Sequence, residues 1–359
     1  MNPTVTIIVP VRNEEQFIER TFRTILAQDF PADRTEILVI DGMSTDRTGE
    51  ILARLQIDHP NIQVITNPRR LQSHGMNLGI HLARGEYVVR MDAHAMYAPD
   101  YVRRCVELLQ RGDAGEVGGV QKAIGTTYFT QAVALAMTHP YGVGDARFRY
   151  TKCEIYADTV YLGAWRRSTL LELGGFSNEV NEEGDLNYRL RKAGYRILVS
   201  PRIELQYIVR RTLLELVRQY AWYGRARTQT LVRYPDSVRW RQLAAPLLVL
   251  ALVFSVAIFP VSPPLGLMLP SLYIASDLGV SAALSWRKGI RYFPAVSVIF
   301  AAMHISYGLG FFGGMFRFGV PRFSLRSVWR SLTVPDHDAP PKDTGAHSPP
   351  PVSEDMRGC

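Results

Sequence analysis

The stretch Glu86-Tyr87-Val88-Val89-Arg90-Met91-Asp92-Ala93-His94 reads as an apolar strand that stops on an acid and an imidazole two residues apart. In open α/β sheets, ligands gather at the carboxyl ends of strands. A carboxylate beside an imidazole offers mixed oxygen and nitrogen donors to a divalent cation, and such a cation can hold a diphosphate. An ordinary surface loop accounts for the same triplet equally well. Two earlier strands, however, end in the same manner. The first ends Val9-Pro10-Val11-Arg12-Asn13-Glu14-Glu15, the second Ile40-Asp41-Gly42-Met43-Ser44-Thr45-Asp46. Proline is expected to stop the first strand, and Asn13 with Glu14 and Glu15 also fits a plain helix N-cap. Asp41 could accept hydrogen bonds from a uracil-type base or a ribose, while Ser44 and Asp46 suit a turn.

Outward from these ends, apolar strands alternate with amphipathic helices. Strands are expected over Thr4–Val11, Glu36–Ile40, Ile62–Thr66 and Glu86–Met91, with helices over Glu15–Ala27, Thr45–Leu55, His74–Ala83 and after Pro99. That alternation predicts a mainly parallel sheet covered on both faces, because near-continuous apolar strands must be buried on both sides. After Gly112 the pattern loosens, and it ends in a long basic amphipathic helix over Leu213–Val232.

The 359 residues carry a formal charge of +8. The charge flanks three long apolar runs, Leu243–Ser262, Leu265–Trp286 and Tyr292–Phe316, which favours a membrane over nucleic acid. Each run is long enough to cross a bilayer of about 30 Å. Arg239 and Arg241 before the first run, and Arg287, Lys288 and Arg291 after the second, place both points in the cytoplasm. The third run has Arg317, Arg322, Arg326 and Arg330 behind it, so it either crosses or re-enters through a hairpin around Gly308–Gly314. Phe323–Leu332 has the look of an interfacial helix. The N-terminal run Val5–Val11 is too short for a signal core, so the globular part is expected in the cytoplasm at the inner membrane. Expected domains are 1–235 globular, 236–334 membrane-associated and 335–359 a disordered Pro-rich tail. The three cysteines have no metal-ligand spacing.

Taken in order, Val-Pro-Val-Arg-Asn-Glu, Ile-Asp-Gly-Met-Ser-Thr-Asp and Met-Asp-Ala-His resemble family 2 glycosyltransferases with the GT-A fold. Asp92-Ala93-His94, Tyr141-Gly142-Val143-Gly144, Asp158-Thr159-Val160-Tyr161, Gly174-Gly175-Phe176, Leu186-Asn187-Tyr188-Arg189-Leu190 and Gln219-Tyr220 are similar to the succinoglycan-type exopolysaccharide members. The resemblance covers about residues 4–235. It implies an α/β, GT-A type nucleotide-sugar-binding domain followed by C-terminal transmembrane helices. It also implies that Pro10, Asn13, Glu14, Asp41 and Asp92 bind the nucleotide sugar. Asp92 matches the first acid of the family's metal motif, and His94 stands where many members have a second aspartate. Imidazole remains a competent ligand for Mn²⁺, with Mg²⁺ less favoured.

Glu183 falls at the position of the family's base aspartate, with Asp185 as rival one slip away. A helix N-terminus decorated with acids is the plainer alternative for both. Gln219 lies where others place an acceptor-binding element, and Arg225 is a candidate contact to lipid phosphate. Asp277 is the only acid inside the second apolar run. The implied reaction is inverting transfer of a hexose from a UDP-type donor to a saccharide on polyprenyl diphosphate. Transfer to polyprenyl phosphate itself, or a non-catalytic membrane scaffold, are the alternatives.

Overall fold

In the computed structural model, residues 3–177 and 181–333 are described. The expected tail, 335–359, lies outside them. Nine strands form one sheet: β1 (Val5–Val11), β2 (Thr35–Asp41), β3 (Ile62–Thr66), β4 (Tyr87–Arg90), β5 (Ala95–Tyr97), β6 (Glu116–Ile124), β7 (Ile155–Ala157), β8 (Tyr161–Arg166) and β9 (Ile197–Ile208). The helices that accompany these strands in the chain are α1 (Ile18–Leu26), α2 (Thr48–Asp58), α3 (Gln72–Leu82), α4 (Tyr101–Gln110), α7 (Arg167–Glu172) and α8 (Glu182–Lys192), with α5 (Tyr128–Met137) and α6 (Pro140–Val143) between α4 and α7 in sequence. The chain continues with α9 (Leu213–Arg233), α10 (Trp240–Ile258), α11 (Pro263–Lys288), α12 (Phe293–Phe318) and α13 (Leu325–Thr333).

The sheet is mixed. Strands β3-β2-β1-β4 are parallel, as the apolar runs predict. Beyond β4, β8 runs antiparallel between β4 and β6, and β5 and β7 pair antiparallel with β9. Ile7, Val9, Ile37, Val39 and Val89 are at most 2% exposed and form one core with Phe22, Leu52 and Leu109. Pro10 does not stop β1, which runs on to Val11. The β4 register ends at Ile8–Arg90, so the missing N–H of Pro10 faces no partner there.

Two compact units emerge: residues 3–122 with 150–207, and 123–149 with 208–333. The expected boundary at residue 235 therefore falls inside the second unit. The reason is close packing of α9 on α12. A Cβ added to Gly224 would meet the Tyr307 carbonyl oxygen at 2.1 Å, and one on Gly310 the Ala221 carbonyl at 2.0 Å. One on Gly314 would meet the Thr228 side chain at 2.7 Å. α12 is one unbroken helix, so its glycines bring helices together and form no hairpin.

By length and composition three helices could cross a membrane: Trp240–Ile258, Pro263–Lys288 and Ile290–Phe318. On α11, Asp277, Ser281 and Ser285 repeat every four residues and are all buried. Asp277 Oδ2 accepts a hydrogen bond from Ser297 of α12.

Candidate active site

Three strand ends supply the site. After β1, Asn13 adopts φ 56°, a left-handed backbone that asparagine tolerates better than most residues. It is no helix cap: α1 begins only at Ile18. The Asn13 N–H donates to Ser44 Oγ at 3.0 Å, and Asn13 Oδ1 accepts from the Thr45 N–H at 2.8 Å. Glu14 N–H donates to Thr48 Oγ1, Glu15 N–H to Asp46 Oδ2, and Arg47 N–H to Glu15 Oε2. The loops after β1 and β2 are thus laced together. Asp41, at the end of β2, accepts from Ser44 N–H and from Ser44 Oγ at 2.6 Å. In this structure it closes its own turn.

Asp92 follows β4 and is 5% exposed. Its two carboxylate oxygens accept from Arg90 Nε at 2.9 Å and Nη2 at 3.2 Å. Arg90 is itself 3% exposed, and its Nη1 lies 2.7 Å from Glu183 Oε1. One buried guanidinium therefore ties the acid at the end of β4 to an acid ninety-one residues later. The sequence reading passed over Arg90, because a charge inside an apolar strand reads as an interruption. His94 Nδ1 lies 3.3 Å from Glu14 Oε1.

Glu183 stands in the first turn of α8, whose N-cap, Asn181, accepts from the Gly184 N–H. Burial pushes the Glu183 carboxyl up to about 7, with Arg90 opposing the shift and Glu182 adding to it. The same burial raises Glu182. Glu116, on β6 and 2% exposed, is raised well above the ordinary range by burial and by Glu183. With its amide oriented to satisfy both ends, Asn187 donates to Glu116 Oε2 at 2.8 Å and to the Glu183 carbonyl, and accepts from Thr159 Oγ1. Glu116 was likewise missed, and no local sequence signal marks it.

Asp185 has a different part. It is 2% exposed and accepts from Arg189 Nε at 2.8 Å. Arg189 also donates to the carbonyls of Leu173 and Gly175. On the other side of that turn, Asn77 of α3 donates to the Phe176 carbonyl and accepts the Phe176 N–H, both at 2.7 Å. The Gly174-Gly175 pair, at φ 74° and 70°, provides the left-handed turn that lets this clamp form. Gln219 and Arg225 belong to α9 in the second unit. There the Gln219 amide donates to the Tyr223 hydroxyl and Arg225 is exposed.

Asp92, His94 and Glu14 supply carboxylate and imidazole donors of the kind Mn²⁺ accepts. Among the described residues no three such side chains converge as a cage. An ion held here would draw its remaining ligands from a bound diphosphate and water, as small divalent cations in phosphate-transfer sites do.

Residues 6–173 match the family description Glycosyl transferase family 2. Succinoglycan biosynthesis protein ExoA of Rhizobium meliloti is 29% identical over 309 residues, spanning 85% of this chain and 93% of that protein. A dolichyl N-acetyl-alpha-D-glucosaminyl phosphate 3-beta-D-2,3-diacetamido-2,3-dideoxy-beta-D-glucuronosyltransferase of Methanococcus voltae is 26% identical, spanning 87% and 97%. In fold, the chain is similar to mannosyltransferase PcManGT of Pyrobaculum calidifontis, solved with GDP-Man and Mn²⁺. The TM-score is 0.55 at 23% identity, over 86% of this chain and 87% of that one. The match to glycosyl transferase family 2 thus spans residues 6–173, and the fold is of the GT-A type.

Proposed function

We propose that the protein moves a hexose from a nucleotide diphosphate sugar, a UDP-sugar by preference, to a lipid-linked saccharide in exopolysaccharide or cell-surface glycan synthesis. The observation that carries this reading is the Arg90 bridge, which sets Asp92 and Glu183 around one buried charge. Asp92 and His94 would hold a divalent cation, Mn²⁺ before Mg²⁺, and that ion would neutralise charge on the departing diphosphate. Asn13, Glu14, Asp41 and Pro10 line the strand ends where the nucleotide would lie. Glu183 serves as general base, taking the proton from the acceptor hydroxyl as it attacks the anomeric carbon with inversion. Asp185 is set aside for that task, since its carboxylate is committed to Arg189 and the glycine turn.

The relatives above support a lipid-linked acceptor. The apolar helices agree with an acceptor that stays in the bilayer, polyprenyl diphosphate-linked saccharide before bare polyprenyl phosphate. The reading also places the protein at the cytoplasmic membrane with its catalytic unit on the cytoplasmic side.

Purified full-length protein, supplied with Mn²⁺, membrane lipids and a panel of nucleotide sugars, is expected to release nucleoside diphosphate from one donor. Glu183→Gln should lower kcat by about 10²- to 10⁴-fold, the range typical of a lost general base, while donor binding persists. Full turnover in Glu183→Gln, with loss in Asp185→Asn at intact folding, would overturn the assignment of the base.

A further inference from the structure

An apolar groove opens at the N-terminal end of the α9–α12 pair, away from any residue used above. It holds about 500 Å³ and is walled by Tyr128 and Phe129 of α5, Leu213 of α9, and Pro294, Val298 and Ile299 of α12, with Arg211 at its rim. Tyr128, Leu213 and Val298 are 47%, 40% and 55% exposed. Clustered apolar exposure of this kind marks a site of interaction.

Its depth follows from the helices that build it. α9 and α12 run side by side in one direction: Leu213 shares the groove with Val298, the Ala221 carbonyl meets Gly310, and Thr228 meets Gly314. Along α9, Glu215, Arg218, Arg225 and Arg233 are all exposed. A helix carrying charges over its whole length does not lie in hydrocarbon, so on the membrane reading given above the pair would rest at the surface. Val298, Leu309 and Phe316 of α12 are exposed and would there meet lipid. At the groove end, Tyr128 stacks on Tyr292 and its hydroxyl donates to the Arg291 carbonyl. Aromatic and basic side chains of this kind settle at headgroup level. Arg211 lines the groove, and Arg210, next to it in the chain, is exposed as well. The end of α9 is already capped, by Thr212 accepting the Glu215 N–H and by Glu215 accepting the Arg211 N–H. The positive charge offered there is accordingly that of the arginine side chains.

We propose that this groove seats the lipid part of the acceptor, with its polyprenyl chain on the apolar wall and its phosphate against Arg210 and Arg211. The identity of the lipid rests on the transferase reading above. The groove and its charge do not. A neutral lipid would meet none of the exposed positive charge that Arg210 carries next to the groove. The lipid-phosphate contact thereby moves from Arg225 to the opposite end of α9.

The test is photocrosslinking of full-length protein in phosphatidylcholine nanodiscs with a diazirine-bearing polyprenyl phosphate, without any sugar nucleotide. Labels are expected on the segments 128–129 and 294–299. Unlabelled polyprenyl phosphate should compete at least about tenfold better than phosphatidylglycerol or polyprenol. Arg210→Gln with Arg211→Gln should lose about tenfold in labelling, and Val298→Trp, at an already exposed position, should block it. Labels elsewhere, or labelling unchanged in both variants, would overturn the proposal. Equal competition by phosphatidylglycerol would make the groove a seat for bulk lipid, and equal competition by polyprenol would remove the phosphate contact; either also overturns it. Because no donor is present, failure here leaves sugar transfer untouched. Conversely, a protein that labels as expected yet transfers no sugar would sink only the transferase reading.

Discussion

At the residue scale, the proposed base Glu183 and its partner Arg90 predict a pH dependence of stated direction. A base must be ionised to act, and burial pushes Glu183 up to about 7, so on that proposal kcat/KM should rise with pH through about 7. Arg90 opposes that shift, so Arg90→Met should move the inflection to higher pH; an unmoved inflection would separate the pair. Stability should run the opposite way. A carboxyl whose folded pKa is raised adds stability below its unfolded value of 4.5, and this is lost as pH rises through about 7. Melting temperatures should therefore fall between pH 5 and 8, and Glu116→Gln, which keeps the shape, should flatten the fall. Asp92 and the Asn13 and Asp41 loops were legible because each follows an apolar run at a strand's end. Arg90 and Glu116 were not, since their partners lie dozens of residues away and only the folded sheet unites them.

At the scale of elements, α8 delivers Glu183 only because Asn77, the Gly174-Gly175 turn and Arg189 lock its approach. Gly175→Ala should be costly twice over. Its left-handed backbone disfavours a side chain by about 1–2 kcal/mol, and the new Cβ would sit 2.3 Å from Asn77 Oδ1. Asn77→Ala strips both hydrogen bonds from Phe176 and should cost about 1–3 kcal/mol. It should also lower kcat more than it raises donor KM, because it touches the base helix and not the donor loops. Equal effects on both constants would argue against this division. The motif Gly-Gly-Phe could be quoted from the sequence, but its purpose could not, since nothing local announces a partner on α3. Helix starts were also misjudged: α1 and α2 begin three residues later than expected. Asn13, Glu15 and Asp46 spend their polar groups lacing two loops together.

At the scale of the whole molecule, the parallel half of the sheet and the apolar helices were plain from hydropathy, whereas the antiparallel half pairs strands far apart in sequence, β4 with β8 and β5 with β9, which no local pattern announces. For want of the partner helix, the glycines of α12 left a crossing and a re-entrant hairpin both open. Gly310→Val should wedge α9 from α12, at about 1–3 kcal/mol for overpacking, and lower the detergent melting temperature; an unshifted melt would refute that packing. The row Asp277, Ser281 and Ser285 bears on biogenesis. α11 leaves the ribosome before α12, so for a time its acid has no Ser297 to meet and, on the proposed membrane location, would wait beside lipid or translocon. Chains truncated after Lys288 should accordingly be cleared by membrane proteases, and Asp277→Leu should spare them.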